Sequence, residues 1–92
     1  MWTVVEERAA AKTIETLPLQ VAEKYAFWLA IVRQSGPRGL RAIKSFHDEK
    51  LKGKLARLRS SRLSQQWRVI YRTDADLVTV FVERVTPHDY RP

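Results

Sequence analysis

The sequence predicts a single α+β domain in which two N-terminal helices pack on one face of a small antiparallel β-sheet. The chain has 92 residues, which fits one domain, since domains commonly have roughly 100–150 residues. Apolar residues follow helical spacing up to Gly36 and a period of two beyond Gly53. The hydrophobic share of 45% is enough for one core. We therefore expect residues 1–92 to form one folded unit.

The N-terminal part is predicted to contain a short strand and two helices. Residues 2–5 are β-branched or aromatic, which favours a strand, and residues 6–16 are rich in Ala, Lys and Glu, which favours a helix. Pro18 suits the first turn of a second helix, and Gly36 followed by Pro37 is typical of its end. The core-facing stripe of this second helix is predicted to consist of Val21, Tyr25, Trp28, Leu29 and Val32.

The C-terminal part is predicted to be a meander of three antiparallel strands. In residues 38–54, apolar side chains at Leu40, Ile43 and Phe46 indicate a short helical turn. The strands are then expected at residues 55–63, 67–73 and 77–85, because the turn segments Ser-Gln-Gln (64–66) and Asp-Ala-Asp (74–76) separate them.

The helices are expected to leave the other face of the sheet open to solvent. Period-two alternation places Arg68, Ile70 and Arg72 on one face of the second meander strand. The hairpin loop contains no Asn-Gly or Asp-Gly signal, so its register stays open. One register puts Arg57 and Arg59 beside Arg68, and another puts Arg62 there. Both give an arginine cluster on a concave, exposed sheet.

The positive charge is concentrated in the middle of the chain. The formal net charge is +7, yet residues 38–72 alone carry eleven basic and two acidic side chains. Clustered Lys and Arg neutralise phosphates and release counterions, which indicates a polyanionic partner. The alternative is a solvated surface that only aids solubility.

Composition also excludes several kinds of site. The chain has no cysteine, which excludes disulfides and thiolate metal sites, and its two histidines give no zinc-ligand set. We expect no cofactor and no metal. The first residues do not resemble a signal peptide, and no apolar run approaches the roughly 20 residues of a membrane span. We therefore expect a soluble cytoplasmic protein that has no membrane partner.

Three segments of the sequence carry a family resemblance. Residues 62–71, Arg-Leu-Ser-Gln-Gln-Trp-Arg-Val-Ile-Tyr, are similar to the hairpin of RelE/ParE-family toxins. Residues 46–53, Phe-His-Asp-Glu-Lys-Leu-Lys-Gly, resemble the Leu-Lys-Gly element that precedes the hairpin, and residues 85–91 resemble the closing segment of the YoeB and HigB branches. The segments occur in the family's order, so the resemblance spans the chain and implies a RelE-like microbial RNase fold.

The resemblance also implies a set of catalytic residues. Glu49 matches a glutamate that acts as general base in YoeB-like toxins, and Arg68 matches an arginine that holds the phosphate. A second arginine of these toxins, late in the preceding strand, matches Arg62. Their C-terminal general acid, a histidine, matches His88, with Tyr90 nearby.

Some roles remain open at this point. The tail reads His-Asp-Tyr, so the acid can be His88, Asp89 or Tyr90. RelE itself relies on lysines, and Lys50, Lys52 and Lys54 can fill that role here. His47 is a further candidate by analogy with HigB. The positions expected to bind RNA are Lys50, Lys52, Lys54, Arg57, Arg59 and Arg72.

The implied function is that of a type II toxin that cuts messenger RNA on the ribosome without a metal and so inhibits translation. The implied partners are a cognate antitoxin, mRNA and the ribosome, with promoter DNA bound indirectly through the toxin–antitoxin complex. Two alternatives stay open. One is a ParE-like inhibitor of DNA gyrase without nuclease activity, and the other is a nontoxic nucleic-acid-binding or regulatory module.

Overall fold

A computed structural model describes residues 1–87 of the chain. It contains three α-helices, five β-strands and two short 3₁₀ turns. The helices are α1 (Arg8–Ile14), α2 (Leu19–Ser35) and α3 (Pro37–Arg41). The 3₁₀ turns are Lys44–Phe46 and Gly53–Leu55. The strands are β1 (Thr3–Glu6), β2 (Glu49–Lys50), β3 (Arg59–Arg62), β4 (Arg68–Asp74) and β5 (Thr79–Thr86).

The strands form one mixed sheet in the order β1-β5-β4-β3-β2. The predicted antiparallel meander corresponds to β3, β4 and β5. The prediction of a wholly antiparallel sheet was wrong, because β1 pairs parallel with β5. A parallel partner far along the chain leaves no local sequence signal. The two-residue β2, which pairs with β3, was also missed, since it is too short to show a period.

The first meander strand is shorter than predicted. We expected residues 55–63, whereas β3 covers only Arg59–Arg62. Gly53 has φ +65° and begins a 3₁₀ turn, so β3 begins only at Arg59. Leu55 and Leu58, which belonged to the predicted strand, instead pack with Leu51 and Ile70 in a small apolar cluster. The predicted solvent-open face is therefore partly covered at Ile70, which is only 1% exposed.

The main core lies between the helices and the other face of the sheet. Trp28 of α2 is fully buried, and its ring meets that of Tyr71 from β4 edge to face, with centroids 5.4 Å apart. Burying a large apolar side chain contributes about 1.5–3 kcal/mol, so α2 is held mainly by this stripe. The buried residues of the predicted stripe are Val21, Tyr25, Trp28 and Val32. Within residues 1–87, no helix combines the length and the apolar character that crossing a bilayer would require.

Gly36 connects α2 to α3 in a tight turn. Its φ is +71°, a left-handed backbone that favours glycine, and a Cβ there would overlap the indole ring of Trp2. Pro37 then begins α3 directly, where its fixed φ suits the first helical turn. The turn places α3, with Arg38 and Arg41, beside the sheet rather than continuing α2.

Candidate functional site on the arginine face

The hairpin register brings two arginines together. Arg62 of β3 lies directly opposite Arg68 of β4, and Arg68 in turn lies opposite Thr86 of β5. Directly paired residues point to the same face of a sheet. The register that the sequence left open is thus the one that places Arg62 beside Arg68. We call this side of the sheet the arginine face; it carries Glu49, Ser60, Arg62, Arg68, Ile70, Arg84 and Thr86.

Arg68 is buried and Arg62 is half-buried, which is unusual for charged side chains. Arg68 is only 6% exposed, and the Nε atom of Arg62 is buried without a hydrogen-bond partner among residues 1–87. Like charges directly opposite each other destabilise a sheet, and a buried N–H without a partner costs about 1–3 kcal/mol. An anion bound between Arg62 and Arg68 would offset both costs.

Glu49 lies on the same face. It pairs with Ser60, two positions before Arg62 on the same strand, so Glu49 and Arg62 are diagonal neighbours across β2 and β3. Such neighbours lie about 7–8 Å apart, within reach of two long side chains. The structure therefore places the predicted carboxylate and both predicted arginines on one surface.

Arg84 is a further cation on this face that the sequence did not reveal. It pairs with Ile70, but the register shifts at the next pair, where Tyr71 lies opposite Val82. Glu83 is the extra residue of this β-bulge, which reverses the alternation along β5. Beside Arg84, a cavity of about 170 Å³ opens between the sheet and the segment before β3. The described residues that line it are Leu55, Leu58, Ile70, Glu83 and Arg84.

Arg72, a predicted RNA contact, is held by its neighbours. Its guanidinium carbon lies 4.0 Å from the centre of the Phe81 ring, and its Nε donates to Glu83 Oε2 at 2.9 Å. Stacking and an ion pair together fix the planar guanidinium at the edge of the arginine face. A role for Arg72 in RNA binding stays a prediction.

A buried carboxylate lies on the opposite side of the sheet. The side chain of Asp48 is fully buried, and it accepts hydrogen bonds from Arg59 Nε at 2.8 Å, from Ser61 Oγ at 2.6 Å and from the Tyr71 hydroxyl. Ser61 Oγ itself accepts from Trp28 Nε1 at 3.0 Å. This network joins α2, β3 and β4 to the residue just before Glu49, so it fixes where β2 begins.

The network shifts two pKa values. Burial, and then the charge and hydrogen bond of Asp48, raise the pKa of the Tyr71 hydroxyl well above its ordinary range. Burial alone would lower the pKa of the Arg59 guanidinium, but the hydrogen bond and charge of Asp48 outweigh it and raise that pKa. Tyr71 therefore stays protonated and Arg59 stays charged.

Sequence reasoning did not single out Asp48, although a signal for it existed. Arg59 and Ser61 share a face of one predicted strand, and Tyr71 shares a face with buried positions of the next. Three donors converging on a buried face require an acceptor. Asp48 is the acidic residue that comes just before that sheet region.

The remaining basic residues lie on the opposite side of the sheet or in the exposed segment between β2 and β3. Lys50 pairs with Arg59, so it points away from the arginine face. Lys52, Lys54 and Arg57 are exposed in the segment between β2 and β3. The RNA-binding residues predicted from the sequence thus do not form one continuous patch on the sheet.

The candidates for the general acid, His88, Asp89 and Tyr90, lie outside the described residues 1–87. Their convergence with Glu49 stays a prediction. His47 is exposed and adopts a left-handed backbone with φ 43°. In the described part of the chain, no group of three or more His, Cys, Asp or Glu side chains is placed to hold a metal ion.

Several solved structures share this architecture. The chain superimposes on YoeB from Staphylococcus aureus with a TM-score of 0.75 at 19% identity, covering 96% of this chain and 98% of that one. A YoeB/ParE toxin from Agrobacterium tumefaciens gives 0.74 at 18% identity, with coverages of 95% and 99%. The RelE–RelB complex from Pyrococcus horikoshii gives 0.73 at 21% identity, with coverages of 94% and 93%.

The chain has the RelE/ParE toxin fold. This confirms the fold expected from the three resembling segments. No protein-family model matches the sequence, and no curated protein matches it. The RelE/ParE likeness thus establishes the fold alone, and the chemistry depends on the side chains of the arginine face.

Proposed function

We propose that this chain is the toxin of a type II toxin–antitoxin system and that it acts as an endoribonuclease on messenger RNA. The observation that carries the proposal is the pairing of Arg62 with Arg68 on a face that also holds Glu49. Two guanidiniums side by side form a site for a phosphodiester, and a nearby carboxylate supplies a base.

The proposed chemistry uses the 2′-hydroxyl of the RNA itself. Glu49 removes the proton from this hydroxyl, whose oxygen attacks the adjacent phosphorus. Arg62 and Arg68 stabilise the negative charge that develops on the phosphorane, a contribution worth about 10²–10³ in rate for a positioned donor. The P–O bond to the next nucleotide then breaks, giving a 2′,3′-cyclic phosphate and a 5′-hydroxyl.

The leaving 5′-oxygen requires a proton. His88 is our first choice for this general acid, with Asp89 and Tyr90 as alternatives in the same tail. Lys50, Lys52 and Lys54 are the alternatives if the chain works as RelE does. A positioned acid contributes about 10²–10⁴ in rate, so substituting the correct residue has a large effect.

We also propose a cognate antitoxin as the resting partner. The RelE chain from P. horikoshii was solved in complex with RelB. A carboxylate-bearing antitoxin segment that packs on the basic region would neutralise Arg62 and Arg68 and block RNA. The pair would bind its promoter mainly through the antitoxin, and the free toxin would act on mRNA at the ribosome.

The experiment is a cell-free translation reaction with a defined mRNA, read by primer extension. We expect discrete cleavage with the wild-type chain and loss of cleavage for Arg68→Ala, Arg62→Gln and His88→Gln. Arg8→Gln, which removes an exposed arginine of α1, is the charge-matched control and should cleave normally.

A DNA gyrase supercoiling assay run beside it distinguishes the alternative function. Intact mRNA together with inhibited supercoiling would overturn the nuclease proposal in favour of a ParE-like toxin. Intact mRNA with unaffected supercoiling would rule out both mRNA cleavage and inhibition of DNA gyrase.

A further inference from the structure

A second concentration of positive charge lies on the side of the sheet opposite the arginine face. A pocket of about 600 Å³ opens there between α3, β2 and the segment before β3. Ten residues of the described part of the chain line it; five of these are Lys or Arg, and none of the ten is Asp or Glu. These cations are Arg38, Arg41, Lys50, Arg57 and Arg59. We call this cavity the basic pocket.

The basic pocket is an open depression whose walls are held in place by contacts within the fold. Arg59 Nε lies 2.8 Å from Asp48 Oδ1, and this ion pair holds the guanidinium in place. The indole ring of Trp2 packs against the turn at Gly36. This turn sets the position of α3 and hence of Arg38 and Arg41. A volume of this size lies within the roughly 300–1,000 Å³ of small-molecule sites.

Strand β2 separates the basic pocket from the arginine face. Glu49 pairs with Ser60 and points to the arginine face, whereas the next residue, Lys50, pairs with Arg59 and lines the pocket. β2 is the last strand on its side of the described sheet. A single chain bound at Glu49 can therefore pass over this edge and reach the basic pocket without crossing the sheet.

We propose that the basic pocket is a second phosphate subsite, which holds a phosphate of the same RNA strand outside the cleaved linkage. The inference rests on the proposed function, because it takes RNA as the ligand of the arginine face. The pocket's continuity with Glu49 across β2 favours RNA. An acidic protein segment would need apolar anchor sites as well, yet among the described lining residues only Trp2, Pro37 and Ala56 are apolar.

The test measures binding apart from cleavage. Glu49→Gln protein is titrated with fluorescent single-stranded RNA oligonucleotides whose 2′-hydroxyls are methylated, of several lengths from a dinucleotide upward. Arg38→Gln/Arg41→Gln removes two exposed pocket cations, and Arg8→Gln/Lys12→Gln removes two exposed cations from α1 as the matched control. Circular dichroism and melting curves verify that each variant is folded.

We expect the pocket variant to bind long oligonucleotides about tenfold more weakly and to lose about 0.7 from the salt slope, the value for one phosphate contact on a single strand. Its affinity for the dinucleotide and the affinities of the control variant should not change. Equal weakening by both variants would overturn the subsite, because it would indicate only a long-range field.

Two further results separate the possible failures. If the pocket variant bound all RNA normally but lost affinity for a Glu-rich peptide, the pocket would belong to an acidic protein and the inference would be wrong. If mRNA stays uncut in translation extract while long RNA still depends on Arg38 and Arg41, the nuclease proposal fails and the phosphate subsite stands.

Discussion

Arg62 and Arg68 lie directly opposite each other across β3 and β4, with Arg68 only 6% exposed. Natural sheets normally avoid like charges at such positions, because the pair weakens the sheet by up to about 1 kcal/mol. The fold therefore carries a cost at the place where we propose that RNA binds. Functional sites often reduce the stability of the fold in this way.

The first prediction follows from this cost. Arg62→Met keeps an unbranched side chain as far as the position of Nε but removes the charge and the buried N–H, so the free protein should become more stable by about 1 kcal/mol. For a domain of this size that corresponds to a rise of about 4–8 °C in Tm. Calorimetry on ligand-free protein measures it.

The same variant should bind RNA about tenfold more weakly. Arg8→Met is the control, because Arg8 is exposed on α1 and should affect neither property. A lower Tm for Arg62→Met would contradict the account, since it would show that Arg62 stabilises the fold.

The second prediction concerns the buried carboxylate beneath β2. Asp48→Asn removes the charge that Arg59 pairs with and leaves Ser61 and Tyr71 with a poorer acceptor. Breaking a buried ion pair in this way costs about 3 kcal/mol of unfolding free energy. Urea denaturation measures the loss. Asp76→Asn, in the exposed turn before β5, should change stability by less than about 0.5 kcal/mol; equal effects of both variants would refute a structural role for Asp48.

The third prediction is a loss of stability in alkali. Burial and the adjacent carboxylates, Glu6 and Asp48, raise the pKa of Tyr25 and of Tyr71 far above the ordinary tyrosine value of 10.0. Above that pH the unfolded chain releases protons that the folded chain keeps. The stabilisation is therefore complete below about pH 10 and decreases as pH rises further, by at most about 1.4 kcal/mol per pH unit for each tyrosine.

Thermal melts from neutral pH to above about pH 10 test this pH dependence. Tyr71→Phe should be less stable than wild type at neutral pH, because it loses the hydrogen bond to Asp48, but its Tm should decrease less steeply in alkali. Parallel curves for the two proteins would rule out the assigned origin of the shift.

The fourth prediction compares two glycines with left-handed backbones. Gly36 has φ +71° and no space for a Cβ beside Trp2, whereas Gly53 has φ +65° and nothing within 4 Å of that position. Gly53→Ala should cost about 1–2 kcal/mol from backbone strain alone. Gly36→Ala adds overpacking and should cost at least about 1 kcal/mol more. Denaturation midpoints of the two variants show which loses more stability. Equal losses would show that the Trp2 side chain moves aside to make room for the Cβ.

Local patterns in the sequence predicted most of the helices and the meander. The stripe around Trp28 and the glycine at residue 36 are short-range signals, and they correctly placed α2. The parallel β1–β5 pair and the bulge at Glu83 arise from contacts between distant segments, so no local period reports them. Arg84 was missed for that reason.

The candidate site was predicted in part. Alternation along β4 correctly grouped Arg68 with Ile70, but the choice of Arg62 as its partner needed the hairpin register. The assignment of Arg59 to RNA binding did not anticipate its ion pair with Asp48, which lies in a connecting segment without period. The basic pocket needed the position of α3, which depends on the turn at Gly36.

An mRNA that carries one 2′-deoxynucleotide on the 5′ side of the mapped cleavage position tests whether the RNA's own 2′-hydroxyl is the nucleophile. In translating ribosomes, the wild-type chain should cut the unmodified mRNA and leave a 2′,3′-cyclic phosphate, and it should spare the modified linkage. Cleavage that persists at the modified linkage, or products that carry a 5′-phosphate, would contradict the proposal that Glu49, Arg62 and Arg68 cut RNA through its own 2′-hydroxyl.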